Sequence, residues 1–161
     1  MRIKFITTGG TIDKLYFDAK SAYEVGAPQI GDILDGMGVA FDYEVLPLLR
    51  KDSLDMTDDD RDLIAHVVES DPGERFVITH GTDTMIDTAK VLRRVSGKVM
   101  VLTGALRPAR FVGSDAVFNI GAAIAAVQVL SPGVYLAMSG RIWEPEQVQK
   151  NRALNRFEAT P

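Results

Sequence analysis

RIKFITTGGTI, residues 2–12, has the pattern of a strand running into a glycine turn. Residues 2–6 are a short apolar-rich run of strand type. Gly9 and Gly10 lack a Cβ, so the backbone there can turn sharply and approach a ligand closely. Thr11 follows at once, where its hydroxyl projects from the carboxyl end of the strand. In open α/β sheets that rim is where ligands bind. HGTDTM at residues 80–85 repeats the arrangement after a later strand. Two strand-end loops, each with a glycine and a hydroxyl, point to a reaction centre.

The remaining segments set the frame around these two. Residues 13–26 hold Tyr16, Phe17, Lys20, Ser21 and Tyr23 without clean periodicity and are expected to form a lid or binding loop. Pro28 opens a short helix with Ile30, Ile33, Leu34 and Met37 as its buried stripe. Residues 40–46 read as the second strand, with Pro47 ending its pairing. Asp52, Ser53 and Asp55 lie in the strand-end loop that follows. Thr57 before Asp58, Asp59 and Asp60 is a capped helix start, and Leu63, Ile64, Val67 and Val68 supply its inner face, with His66 on the flank. Residues 76–79, 99–102 and 134–138 are the third, fourth and fifth strands. The helix after HGTDTM buries Met85, Ile86, Ala89, Leu92 and Val95. The helix after Ser114 is nearly all apolar and is expected to be buried on most of its surface. Five strands alternating with helices imply right-handed crossovers and a three-layer α/β/α sandwich. A flavodoxin-like, doubly wound, mostly parallel sheet of order 2-1-3-4-5 would set the loops after strands one and three side by side.

Composition narrows the partners. The 161 residues suit one domain, residues 1–161, whose polar segment 139–161 carries Lys150. A hydrophobic fraction of 46% with 25% charged residues fits a soluble globular protein. The net charge of −4 speaks against a nucleic-acid partner, which needs a clustered basic face. Cysteine is absent, so disulfides and thiolate metal sites are excluded. Arg2 and Lys4 interleave with apolar residues, unlike a signal peptide, and no apolar run reaches membrane-spanning length. A cytoplasmic domain without a membrane partner is expected. No spacing of His, Asp and Glu resembles a metal site.

Thr11 is the nucleophile candidate, provided that a neighbour accepts its proton and that backbone N–H groups meet the oxyanion. An ordinary turn capped by a threonine has the same pattern. The stretch lacks the glycine spacing and the lysine of a phosphate loop. Thr82 and Asp83 can orient water or move a proton through a basic group, and they can equally cap the next helix. Lys150 completes a Thr–Asp–Lys relay if the C-terminal segment folds back over the sheet edge; otherwise it is a surface lysine. Tyr23 can pass a proton from Thr11 or stand as a half-buried aromatic. Ser53 and Asp55 suit the grip on a polar substrate, or a plain turn. His80 reads as structural.

TGGTI at 8–12, KSAYEVG at 20–26, DSLDMT at 52–57, HGTDTM at 80–85, GALRP at 104–108, SDAVFN at 114–119 and VQKN at 148–151 together resemble the bacterial-type L-asparaginase family. The resemblance runs nearly end to end in the family's order. It implies Thr11 as primary nucleophile, Tyr23 beside it on a loop that closes over substrate, and Thr82, Asp83 and Lys150 as a second triad. It puts substrate against Gly10, Ser53, Leu54, Gly81 and Asp83, with Ser53 and Asp83 holding the α-carboxylate and α-amino groups. The implied reaction is hydrolysis of the asparagine side-chain amide through an acyl-enzyme, without a cofactor. Leu54 departs from the family, which usually has Gln or Ser there. The family also carries a C-terminal domain, expected to be absent from this chain, that completes the neighbouring subunit's site, so a homodimer or higher homo-oligomer is expected. Two rivals are a non-catalytic module binding aspartate or a similar acidic metabolite, and an amidotransferase component working with tRNA, which the acidic balance disfavours.

Overall fold

The apolar β-branched runs become the centre of a six-stranded sheet because each is covered on both faces. The structure, a computed structural model, describes residues 1–161 apart from the side chain of Lys20. Lys20, named above in the lid segment, therefore lies outside the described residues in its side chain. The parallel strands are β1 (Arg2–Gly9), β4 (Asp42–Lys51), β5 (Arg75–Thr79), β6 (Val99–Thr103) and β7 (Gly133–Met138). A short antiparallel β8 (Arg141–Trp143) joins the edge, giving the order β4-β1-β5-β6-β7-β8. Numbered among themselves, the five parallel strands run 2-1-3-4-5.

Alternation along the strands divides the core. Ile6, Ile78, Leu102 and Leu136 face α2 (Asp58–Ser70) and α3 (Met85–Leu92). Ile3, Phe5, Val77, Val101 and Ala137 face α1 (Ile30–Met37) and α4 (Ala116–Val129). All of these strand residues are fully buried. The architecture is a mostly parallel α/β sandwich, as the alternation of elements implies. The start of α2 is a capping box: Thr57 Oγ1 accepts from the Asp60 N–H, and the Asp60 carboxylate accepts from the Thr57 N–H.

Four local expectations are corrected. Residues 13–26 are not a structureless loop. They hold β2 (Lys14–Phe17) and β3 (Ala22–Val25), an antiparallel hairpin with Tyr16 opposite Tyr23. Strand β4 continues through Pro47, because β4 is an edge strand and the missing N–H removes no second ladder. Met37 and Leu63 are exposed rather than buried. Helix α4 leaves Val117, Phe118 and Val129 open to solvent, so only one side of it is core.

The C-terminal segment is also ordered. Strands β9 (Val148–Asn151) and β10 (Arg156–Ala159) pair antiparallel, and Trp143, Val148 and Phe157 join the same core as α2 and α3. Lys150 lies opposite Phe157 and two residues after Val148, so it shares their face. Burial of those apolar anchors brings the lysine back over the sheet. No helix is long and apolar enough to cross a membrane among the described residues.

Candidate functional site

Three glycines set the distance between the rim loops. Gly9 ends β1 at φ 95° and Gly10 follows it at φ 86°. A Cβ on Gly10 would meet the Gly81 backbone, its Cα at 2.5 Å. One on Gly81 would meet Ser53 Oγ at 2.6 Å, and one on Gly104 would strike the His80 carbonyl. The loops after β1, β4, β5 and β6 are therefore packed backbone to backbone, with Thr11 and Thr82 flanking the Gly10–Gly81 contact. The Gly10 N–H donates to the Lys51 carbonyl at 2.9 Å. What Gly10 brings to the rim is close approach rather than a free donor.

Lys150 completes the second loop. Its Nζ donates to Thr82 Oγ1 at 2.7 Å and to Asp83 Oδ1 at 2.7 Å. The lysine side chain is 11% exposed and that of Asp83 32%, so the pair is shielded but reachable. Arg152 approaches the same Asp83 oxygen at 4.0 Å. Burial works against the charge of Asp52, but hydrogen bonds from Lys14 and the Leu54 N–H, with the nearby charge of Lys150, hold its carboxyl below the usual range.

His80 shapes this loop without titrating near neutrality. Burial pushes its imidazole down to about 4. Nδ1 lies 2.7 Å from the Gly81 carbonyl, which can only accept, so Nδ1 carries the proton. Nε2 then accepts from Thr88 Oγ1, also at 2.7 Å. The ring thus fixes the orientation of the Gly81 peptide. Thr84 Oγ1 donates to the Ser53 carbonyl at 2.8 Å and ties the loops after β4 and β5 together.

The structure brings Gly10, Gly81, Ser53, Thr82, Asp83 and Lys150 to one rim, with Thr11 beside them. Ser53 is buried under Gly81. Leu54 turns outward, 64% exposed, and with Tyr23, Lys14 and Arg50 lines an open cavity of about 550 Å³. Tyr23 is half exposed. Its ring packs on Tyr16 and Phe111, and it makes no hydrogen bond to Thr11 among the described residues. Sequence reasoning missed Asp115, whose carboxylate accepts from the N–H groups of Leu106 and Arg107 and from Asn119 Nδ2, folding the loop after β6. An Asp just before a helix carries no local mark that separates such a role from a cap.

A family model described as Asparaginase, N-terminal, matches residues 2–159. The chain is 32% identical over 166 residues to L-asparaginase 2 of Escherichia coli (strain K12), covering 92% of this chain and 46% of that one. The thermostable L-asparaginase from Thermococcus kodakarensis superposes with a TM-score of 0.85 at 28% identity, over 99% of this chain and 51% of that one. A probable cytoplasmic L-asparaginase from Campylobacter jejuni gives 0.82 at 30% identity, over 98% and 53%. The chain spans about half the length of the relatives it matches.

Proposed function

Because the chain belongs to the asparaginase family and matches its N-terminal domain, we propose that it hydrolyses the side-chain amide of asparagine, or of a related small amide, to the acid and ammonia. The observation that supports this most is the lysine bridging Thr82 and Asp83 next to the Gly10–Gly81 contact.

In this reading Thr11 Oγ attacks the amide carbon and its proton passes to the leaving nitrogen. The C–N bond breaks, ammonia departs, and an ester to Thr11 remains. Water then adds to the ester carbon, the bond to Thr11 Oγ breaks, and the free acid leaves with the threonine restored. The Lys150 ammonium donates to the Thr82 oxygen, which makes the Thr82 O–H a stronger donor toward the leaving nitrogen. Asp83 holds that ammonium and offers its second oxygen to a substrate ammonium. Tyr23, on the hairpin, would reach Thr11 only when the hairpin closes over substrate. Ser53 acts through its buried contact with Gly81, and Leu54 contributes an apolar wall at the cavity mouth.

Self-association in a cytoplasmic setting belongs to the same proposal. Phe118, Gly121, Ala125 and Val129 form an uncharged, exposed stripe along α4, the kind of surface that a second copy covers. The test is ammonia release measured across asparagine, glutamine and other small amides. Wild type is expected to release ammonia from asparagine, and Thr11→Ala to lose at least about 10³-fold in kcat through removal of the nucleophile. Tight aspartate binding by calorimetry, with no turnover of any amide by folded protein, would instead establish a binding module.

A further inference from the structure

Asp13 has no part in the chemistry above, yet it sits two residues after Thr11 in the same turn and is 2% exposed. Its backbone N–H donates to the Gly10 carbonyl at 3.1 Å, and its carbonyl accepts from the Gly26 N–H at 2.7 Å, just past the end of the β2–β3 hairpin. Its carboxylate Oδ1 accepts from the Gln29 N–H at 2.9 Å. Gln29 is itself buried, and its Oε1 accepts from Arg110 Nε at 2.8 Å in the loop after β6. In that loop the Ala109 N–H donates to the Ile12 carbonyl at 3.1 Å. One buried side chain thus lies where the foot of the hairpin, the start of α1 and the loop after β6 meet the Thr11 turn.

We infer that Asp13 is a positioning residue whose carboxylate, through Gln29, locks the base of the hairpin against the Thr11 turn. Its effect on turnover rests on the asparaginase-type reading; the lock itself does not. Desolvation pushes the Asp13 carboxyl up to about 6, opposed by the Gln29 N–H and the charge of Arg50. Arg50, on β4, also donates to the Val25 carbonyl at 2.7 Å, and Arg110 faces Gln29. Lys14, next along the chain, is paired away with Asp52 at 2.6 Å. Burial disfavours the charge while the lock is closed, so the closed state takes up a proton more readily than the solvent-exposed open one, and the lock tightens as pH falls through about 6.

The test is hydrogen exchange of the amides of residues 14–25, corrected for intrinsic rates, with those of β5 and β6 as internal reference. Asp13→Ala is expected to raise hairpin opening by about tenfold or more at neutral pH while the reference amides hold, as loss of a charge-assisted hydrogen bond requires. Asp13→Asn keeps an acceptor for Gln29 without the buried charge, so it should open no more than wild type and lose the tightening that wild type shows by about pH 5. Arg110→Ala, at an exposed position, should open the hairpin by about threefold and keeps the test alive if Asp13→Ala fails to fold. With asparagine, Asp13→Ala should lose kcat and Asp13→Asn should restore it. Unchanged hairpin exchange in Asp13→Ala, or Asp13→Asn opening as widely as the alanine variant, overturns the inference. Hairpin exchange that follows the scheme in a protein releasing no ammonia supports the lock and removes the hydrolase reading.

Discussion

Lys150→Met is expected to lower kcat for amide hydrolysis by about 10²–10⁴-fold while leaving a folded protein, the range for removing a positioned proton-transfer group. Methionine has similar length and keeps the apolar stem between Val148 and Phe157. What disappears is the ammonium that donates at 2.7 Å to both Thr82 and Asp83. Among the described residues Asp83 then retains only the more distant Arg152, at 4.0 Å and itself largely exposed, which cannot polarise Thr82. A loss confined to KM would assign Lys150 to substrate binding alone. Activity within about fivefold of wild type would remove it from the chemistry. Far-UV circular dichroism and the thermal midpoint, read on the same sample, separate this effect from unfolding.

Gly10→Ala is expected to act on the scaffold instead. Gly10 holds φ 86° with ψ −173°, a region essentially reserved for glycine, and leaving it costs about 1–3 kcal/mol. The new Cβ also meets Gly81 backbone that has no side chain to move aside, adding about 1–3 kcal/mol of overpacking. Together these lower Tm by roughly 5–20 °C for a domain of this size. Any folded remainder should be inactive, since relief of the clash separates the Thr11 and Thr82 loops. A thermal midpoint equal to wild type would mean that the two loops are not in backbone contact.

The parts of this arrangement legible in the sequence are those encoded locally. Residues 2–12 announce a strand and a turn because apolar residues run unbroken into Gly9 and Gly10. The five parallel strands are readable because burial on both faces makes each a continuous apolar run. The parts that were not legible depend on distant neighbours. Pro47 ends a strand by local rules, yet β4 has a partner on one side only and runs on through it. Tyr16 and Tyr23 pair across a hairpin of four-residue strands, too short for periodicity to show. The return of Lys150 depends on Trp143, Val148 and Phe157, three apolar residues scattered through a polar segment. Asp13 and Gln29 look like surface residues because burial with a satisfied partner leaves no mark on the sequence, and the loop contacts of the half-buried Asp115 leave none either. The family's motif order picked out the candidate site residues despite this, and the geometry supplies contacts among them.

The account stands most directly on whether Thr11 and Lys150 serve one reaction. A double-mutant cycle on kcat for asparagine, with Thr11→Ala, Lys150→Met and the double variant, measures that coupling. One shared site predicts that the double variant is about as slow as the slower single variant. Losses that multiply, or a Lys150→Met enzyme that matches wild type, would contradict it.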